Sequence, residues 1–525
     1  MSLFGKFLGV GSATAASRVL GFAREALIAA ALGAGPVADA FYAALRFPNL
    51  FRRLFAEGAF NSAFVPIFAK ELETGGKDTA ARFAGEVFSV LALVLLAFTA
   101  VALVFMPFLT ATVIAAGFRD SPDKFDLTVL LARIMFPYLA AMSLVAMLSG
   151  ILNSFRRYFL AALAPVLLNV VLIGVLLVAL YQGWDGPNIG VGLAIGVAIA
   201  GLLQLGLLVY GLVRLGFRFA PQRPRLTPQV RRLLALAAPA ALTGGIVQIN
   251  LVIGQIIASQ QDGAIALLNY ADRIYQLPLG MIGIAIGVVL LPELARALGA
   301  GETRTALTLQ NRSLEFGLAL TVPAAVALAL TPVPFIAVIY ERGAFAPETT
   351  QAAASALAAF AIGLPSFVLI KVLQPAYFAR EDMKTPMWYS LVSLVINAGG
   401  SIALFPSLGH VGIAAATSLA GWANAGLLGW TLWRRDHFRP APETLRRIGL
   451  VLVCTAAMSM VLLGSWAVMQ ERFFVSGILV RAGIAVLLIA VSMIVYFGLA
   501  IVTGAVDRSM LARTIRRDRA PAAAD

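Results

Sequence analysis

Long apolar stretches recur along the whole chain, separated by short breaks rich in Gly, Pro, Asn or charged residues. A helix needs about 20 mostly apolar residues to cross a bilayer, so each stretch predicts one membrane-spanning helix. The longest stretches exceed one span, and one contains Pro48, so we expect them to tilt, bend or break. The pattern predicts fourteen helices, at 10–33, 37–68, 84–116, 127–152, 158–181, 188–213, 230–258, 264–292, 313–340, 350–378, 387–405, 411–433, 448–469 and 477–503.

Composition agrees with a protein that lies in lipid. Of the 525 residues, 60% are hydrophobic and only 13% are charged, whereas a soluble domain has about a quarter charged residues. Cys454, His410 and His437 are too few to build a disulfide framework, a zinc site or a Cys/His nucleophile. Catalysis by carboxylates stays open on these grounds, but no catalytic cluster is apparent. We therefore expect an all-α integral membrane protein that is not an enzyme and needs no metal or cofactor.

The net charge of +14, from 40 Lys and Arg against 26 Asp and Glu, is explained mainly by topology. With the N-terminus in the cytoplasm, fourteen helices place 27 cations in cytoplasmic loops and tails, and only five outside. This asymmetry follows the positive-inside rule and predicts both termini in the cytoplasm. On a soluble chain the same excess would suggest nucleic acid, which is not an expected partner here. The five outer cations are Arg119, Lys124, Arg342, Arg472 and Arg481.

An internal repeat divides the predicted helices into two halves. Pro137 and Asn169 are 32 residues apart, and Pro365 and Asn397 have the same spacing. The second pair therefore repeats the first pair 228 residues later in the chain. An offset of six helices preserves orientation and predicts parallel repeats with a substrate site between them; chance similarity among apolar helices is the alternative. The predicted parts are an N-lobe at 1–218 (helices 1–6), a C-lobe at 219–440 (helices 7–12), helices 13–14 at 441–505 and a basic cytoplasmic tail at 506–525.

Eight cations remain at membrane depth after the loop cations are subtracted. A charged side chain there costs at least about 2.5–3.5 kcal/mol, so it normally faces water or a partner. The nearby acids, Glu25, Asp39, Glu57 and Asp272, are too few to neutralise them. Guanidinium groups bind phosphate in bidentate fashion, so the positive surplus predicts an anionic, phosphate-bearing ligand. The eight are Arg18, Arg24, Arg46, Arg52, Arg53, Arg133, Arg273 and Lys371.

Several of these cations have a second interpretation. Arg133 can snorkel to the interface, and Arg46, Arg52 and Arg53 can do so or brace the break at Pro48. Arg53 can also pair with Glu57 four residues later on a helix. Arg18, Arg24 and Arg273 are harder to explain in this way, and Lys371 is compatible with either interpretation. Helices 13–14 either extend an apolar groove for a lipid tail or add packing surface.

Five sequence motifs are specific enough to compare with a known family: Ser17–Glu25 (SRVLGFARE), Ala38–Phe41 (ADAF), Pro48–Phe60 (PNLFRRLFAEGAF), Tyr270–Arg273 (YADR) and Phe378–Pro386 (FAREDMKTP). Their resemblance is to the MurJ (MviN) family of bacterial lipid II flippases. It implies a fourteen-helix member of the multidrug/oligosaccharidyl-lipid/polysaccharide exporter superfamily. Such a protein moves the undecaprenyl-diphosphate-linked disaccharide-pentapeptide from the cytoplasmic to the outer leaflet of the inner membrane by alternating access, for peptidoglycan synthesis.

The resemblance also implies roles for individual residues. Arginines matching Arg18, Arg24, Arg52 and Arg273, and an acid matching Asp39, are essential in the family's cavity, and its last two helices line a lipid-tail groove. With Arg53 and Glu57 these form the candidate substrate-binding set. Expected partners are lipid II, membrane lipids and the cell-wall synthesis machinery, with the protein itself a monomer. The alternative function is export of another polyprenyl-diphosphate-linked glycan.

Two departures from the family pattern limit what can be transferred. Some members carry an acid where this chain has Gln276 and a serine where it has Ala266. Some bind sodium through carboxylates in helices 7 and 11, but this chain has no acid between Pro239 and Gln261, or between Pro386 and Trp433. A sodium site of that kind is therefore not expected.

Overall fold

The computed structural model describes residues 3–52 and 60–506, which form helices joined by turns and loops and contain no β-strand. Arg53, Glu57 and the predicted tail from 507 lie outside these residues. A π-helical turn (Thr110–Ile114) and a 3-10 turn (Ala116–Asp120) follow α4. The α-helices are α1 Leu3–Leu32, α2 Pro36–Arg52, α3 Phe60–Val104, α4 Met106–Leu109, α5 Pro122–Met135, α6 Tyr138–Ser154, α7 Tyr158–Gln182, α8 Gly186–Arg214, α9 Pro228–Ala258, α10 Ala264–Gly299, α11 Thr303–Leu330, α12 Pro332–Tyr340, α13 Pro347–Phe378, α14 Lys384–Leu408, α15 His410–Arg434, α16 Pro442–Val475 and α17 Ile478–Thr503.

The helices confirm the prediction of an all-α integral membrane protein. Within the described ranges, ten helical segments are long and apolar enough to cross a membrane. Predicted spans outside those ten include α1, α2 and α10, which carry most of the arginines assigned to membrane depth.

Proline and glycine account for most differences between predicted spans and observed helices. The predicted span 127–152 is two helices, α5 and α6, which meet at Pro137. The span 313–340 is likewise divided, because α12 begins at Pro332. α3 joins the end of the predicted span 37–68 to most of the predicted span 84–116 across a kink at Gly76, whose φ of 75° is unfavourable for other residues. Pro48, in contrast, lies within α2, which continues through it.

The first compact unit runs to Ala266 and includes Arg342–Ala346. In it, α7 packs against α1 and α8, α6 packs against α3 and α8, and α2 packs against α5. Phe68 of α3 stacks on Phe64 and meets Phe217 edge-on, which attaches the α8–α9 connection to α3. α9 packs against α3 and belongs to this unit. The lobe boundary at 218 and the internal repeat stay predictions.

The second compact unit comprises Leu267–Glu341 and the described chain from Pro347 onward. α13 lies at its centre and packs against α11 and α15, while α14 packs against α15. Buried apolar side chains of α10, α11, α13 and α15 form its core, among them Leu290, Val372 and Leu428. The C-terminal helices α16 and α17 pack against each other, and α16 also packs against α11.

Candidate functional site

Arg24 is buried in the first unit, where its guanidinium contacts a carboxylate and an amide. Nη2 donates a hydrogen bond to Glu25 Oε1 at 2.5 Å, and Nη1 donates to Asn169 Oδ1 at 3.0 Å. The other carboxylate oxygen of Glu25 accepts a hydrogen bond from Tyr42 Oη at 2.6 Å. Nε of Arg24 is buried and makes no hydrogen bond. We call these four residues the Arg24 cluster; it includes the Arg24–Glu25 ion pair and an unused N–H donor on Arg24.

Asn169 of α7 fixes the position of the Arg24 cluster on α1. Its Nδ2 donates to the carbonyl oxygen of Ser17 at 2.9 Å, while its Oδ1 accepts from Arg24. Arg18 follows Ser17 directly and is exposed. Because Arg18 and Arg24 are six residues apart, they point about 120° away from each other on a regular helix. The two arginines therefore differ in environment, one paired and buried and the other accessible.

Asp39 of α2 forms a second buried ion pair in the first unit. Lys124 Nζ lies 2.8 Å from Asp39 Oδ2 and 2.8 Å from Asp262 Oδ1. The Lys124 and Asp39 side chains are 5% and 0% exposed, whereas that of Asp262 is 80% exposed. Asp39 also accepts hydrogen bonds from the backbone N–H groups of Gly263 and Ala266, at 2.7 and 3.0 Å. These five residues form the Asp39 cluster, in which Asp39 uses both oxygens.

The Asp39 cluster lies at the start of α10, where an anion is electrostatically favoured. The first N–H groups of a helix have no partner within the helix, and the helix dipole is positive at this end. Asp39 satisfies the N–H of Ala266 in the first turn and that of Gly263 just before it. Lys124 Nζ in addition lies 4.1 Å from the ring centroid of Phe118. Each buried charge of the pair therefore has several compensating contacts.

Glycines allow the neighbouring loops to approach this region closely. Gly33 and Gly263 have φ values of 60° and 77°, which residues with a side chain rarely adopt. A Cβ on Gly33 would collide with the carbonyl of Ala344, and one on Gly263 with the carbonyl of Ala34. The N–H of Ala344 also donates to the carbonyl of Ala30 at 2.8 Å. The loops are thus in backbone contact around the Asp39 cluster.

The remaining membrane cations lie in varied surroundings. Arg133 is exposed and donates from Nε to the carbonyl of Leu103 at 3.2 Å. In the second unit, Arg273 is half-buried and directly follows Asp272, which accepts a hydrogen bond from Gln276. Lys371 is exposed, and its Cδ and Cε lie close to Gly283.

An acidic residue in the FAREDMKTP motif, Asp382, joins three elements of the second unit. Its carboxylate accepts hydrogen bonds from the backbone N–H and the hydroxyl of Thr385, at 3.0 and 2.7 Å, and pairs with Arg435 at 2.7 Å. Partial burial raises the pKa of Asp382, but the hydrogen bonds from Thr385 and the charge of Arg435 outweigh it and lower the pKa to about 2. The carboxylate is therefore ionised at neutral pH and links the α13–α14 loop to the end of α15.

The structure places the candidate substrate-binding residues in different settings. Arg24 and Asp39 belong to neighbouring clusters of the first unit, since Tyr42 and Asp39 are three residues apart on α2. Arg18 is on α1, Arg52 is the last residue of α2, and Arg273 is on α10 in the second unit. The proposed pairing of Arg53 with Glu57 falls outside the described residues.

Sequence reasoning missed the partners that complete these clusters. Lys124 was assigned to the outer loop cations, yet it is buried and neutralises Asp39. Asn169 was noted only as part of the repeat, and Tyr42 not at all. A polar residue within an apolar helix was the one available signal for Asn169. Among the described residues, no group of three or more His, Cys, Asp or Glu is arranged to hold a metal.

Comparisons with known proteins identify relatives over nearly the whole chain. A family model described as "Lipid II flippase MurJ" matches residues 28–502. A probable lipid II flippase MurJ of Rhizobium tropici is 53% identical over 530 residues, covering 100% of this chain and 99% of the relative. The lipid II flippase MurJ of Burkholderia cenocepacia is 35% identical over 470 residues, covering 87% and 90%.

Solved structures with the same fold include transporters of two kinds. A lipid II flippase MurJ in an inward closed conformation has a TM-score of 0.77 and 25% sequence identity, covering 94% of this chain and 98% of its own. An inward-facing multidrug resistance MATE family transporter of the MOP superfamily has a TM-score of 0.65 and 15% identity, covering 80% and 94%. The second likeness concerns the fold alone.

Proposed function

We propose that the Arg24 cluster binds the diphosphate of lipid II. The chain belongs to the MurJ family and is a lipid II flippase. The observation that carries this proposal is the Nε of Arg24, a buried guanidinium donor without a hydrogen-bond partner. Buried donors are nearly always satisfied, so an unused one in a polar cluster suits a ligand that supplies the acceptor. A phosphate oxygen is the acceptor that guanidinium groups bind most strongly.

Glu25 has a defined part in this proposal. A fully buried, unpaired arginine would cost too much free energy in the empty protein, and the Glu25 carboxylate removes that cost. Tyr42 and Asn169 hold the pair in one geometry through hydrogen bonds of 2.6 and 3.0 Å. Arrival of a diphosphate, which carries more than one negative charge, would let Arg24 exchange or share its contact with Glu25. Arg18 is exposed on the same helix but points about 120° away, so it would supply a second guanidinium only if α1 bends or the binding cavity is wide.

Asp39 has a different role in the proposal. Both of its oxygens are engaged by Lys124, Gly263 and Ala266, and the side chain is fully buried. We infer that Asp39 stabilises one conformation of the transport cycle through these contacts. It does so without contacting the substrate. Arg52, Arg53, Glu57 and Arg273 stay predictions from the sequence.

The chain is a multi-pass membrane transporter, and we infer its orientation in the membrane from the distribution of loop charges. The 27 to 5 division of loop cations favours both termini in the cytoplasm, as expected for a flippase of the bacterial inner membrane. We also propose that the protein works as a monomer by alternating access, without a covalent step, and hands lipid II to the cell-wall synthesis machinery.

Binding of lipid II and of its monophosphate analogue tests the phosphate proposal. The purified protein is titrated with lipid II and with the same glycan on undecaprenyl monophosphate. Because charge-assisted hydrogen bonds to the second phosphate are lost, we expect the analogue to bind at least about tenfold more weakly, or about 1.4 kcal/mol. In an Arg24→Gln variant this difference should largely disappear. Equal affinity of the wild type for the two lipids would refute the proposal.

A further inference from the structure

One face of α11 holds the C-terminal helices through three successive turns. Asn311 Oδ1 accepts a hydrogen bond from the N–H of Ala441, which precedes α16, at 3.0 Å. Glu315, one turn later, accepts from the Thr444 hydroxyl at 2.6 Å and pairs with Arg447 at 2.7 Å. Residues four apart lie on the same side of a helix, so these contacts form a continuous stripe. Both carboxylate oxygens of Glu315 are committed to α16.

The stripe continues to α17 deeper along the helices. The carbonyl of Ala319, four residues after Glu315, accepts a hydrogen bond from Tyr496 Oη at 2.6 Å. Tyr496 is only 1% exposed and packs with Cys454 and Met458 of α16. α11 therefore binds both helices of the C-terminal hairpin, and it does so by polar contacts surrounded by apolar side chains.

A second carboxylate holds the other end of the hairpin, near the α16–α17 turn. Glu341, directly after α12, accepts from Arg481 Nη1 at 2.6 Å and from the Thr350 hydroxyl at 2.6 Å. The side chains of Arg481 and Glu341 are 18% and 10% exposed. Glu341 thus ties α17 to the beginning of α13, in the same way that Glu315 ties α16 to α11.

Arg481 also fixes the shape of the turn that Glu341 holds. Its Nε donates to the carbonyls of Phe473 and Ser476, both at 3.0 Å, and its Nη2 donates to the carbonyl of Phe474 at 3.0 Å. The last carbonyls of a helix lack partners within the helix, and here one guanidinium satisfies those at the end of α16. The turn and its anchor are therefore a single hydrogen-bonded unit.

We infer that α16 and α17 move as one rigid body with the second unit throughout the transport cycle, held by Glu315 at one end and Glu341 at the other. Between the two carboxylates, Leu462, Phe473 and Leu488 pack against Ala337 of α12, so the attachment continues along the hairpin. A surface that α16 and α17 offer to lipid would then keep its place relative to α11 and α13. This inference concerns contacts within the second unit and does not depend on what binds Arg24.

Distances between spin labels test whether the hairpin moves. The single native cysteine, Cys454, is replaced by Ala, and labels are placed at the exposed Ile494 of α17 and Ile362 of α13. The protein is measured in lipid nanodiscs with and without lipid II. We expect one distance population in both conditions, with a mean that shifts by less than about 2 Å, the range of small helix adjustments. A larger shift, or two populations in the wild-type background, would overturn the inference.

Two further variants test whether Glu315 and Glu341 are what holds the α16–α17 hairpin in place. Glu315→Gln with Glu341→Gln removes both charges and should produce a second, broader distance population. Glu348→Gln changes an exposed glutamate of α13 and should leave the distribution unchanged. If the double variant kept the wild-type distribution, the two glutamates would not be what holds the hairpin. None of these outcomes affects the diphosphate-binding test, whose reporter residue lies in the first unit.

Discussion

An Arg24→Met variant is expected to lose lipid II transport by at least about a hundredfold while still inserting into the membrane. Hydrogen bonds to charged groups contribute about 1.5–3 kcal/mol each, and a hundredfold loss corresponds to about 2.7 kcal/mol. Methionine preserves much of the side-chain length but cannot donate to phosphate. The loss should appear in proteoliposomes as a lower rate of transfer of fluorescent lipid II between leaflets.

A second variant separates substrate binding from stability. Arg24→Met alone removes the guanidinium that pairs with the buried Glu25 carboxylate, and breaking a buried pair costs about 3–5 kcal/mol. In the double variant Arg24→Met/Glu25→Gln the buried charge is gone, and a glutamine oxygen can still accept from Tyr42. We expect the double variant to recover thermal stability and to remain inactive.

Recovery of transport by the double variant would contradict the proposed role of Arg24. In that case Arg24 would serve only to neutralise Glu25, and the diphosphate would bind elsewhere. Glu25→Gln alone is the matched control, because it keeps the guanidinium and removes its counter-charge. Because Arg24 then lacks its buried counter-charge in the empty protein, thermal stability should fall. Transport should persist, and lipid II should bind at least as tightly as to the wild type.

An Asp39→Ala variant should also lose most transport, for a different physical reason. The substitution leaves the buried Lys124 with only the exposed Asp262 as a charge partner, and it frees the N–H groups of Gly263 and Ala266. An uncompensated buried charge costs about 3–5 kcal/mol. The state that holds these loops together would become unstable, which should lower both the melting temperature and the transport rate.

Neutralising both partners should reverse much of that effect. In Asp39→Asn/Lys124→Met, the asparagine oxygen can still accept from the backbone of α10, and no buried charge is left unpaired. We therefore expect the double variant to transport substantially faster than Asp39→Ala. Asp262→Asn is the control, and its effect on stability should stay within about 0.5 kcal/mol because the side chain is exposed. A double variant as inactive as Asp39→Ala would indicate that the Asp39 carboxylate contacts the substrate.

Helix positions were predictable because a helix that crosses the bilayer needs a long apolar segment, and such segments are visible in the hydropathy pattern of the sequence. The boundaries were less predictable where prolines occur. Pro137 and Pro332 separate helices, whereas Pro48 lies inside α2. A proline removes one backbone donor in every case, but neighbouring helices decide whether the chain bends or stops.

The candidate site was only partly predictable, because charge pairing depends on tertiary contacts. The sequence predicts that Arg24 and Glu25 lie at membrane depth. It does not predict their contact with Asn169, which is 145 residues away from Arg24 along the chain. Burial of Lys124 was the least predictable contact. The hydropathy pattern predicts Lys124 in the outer loop between two spans and gives no sign of its pairing with Asp39, which is accompanied by the π-helical and 3-10 turns that precede it.

Exposure of lipid II on the outer leaflet, measured after the protein is depleted from cells, tests the central claim most directly. We predict that lipid II accumulates in the inner leaflet and that its exposed fraction falls toward background. A plasmid copy of the wild type should restore exposure, and one carrying Arg24→Met/Glu25→Gln should not. Normal exposure after depletion, in cells without a redundant flippase, would show that this protein is not the flippase.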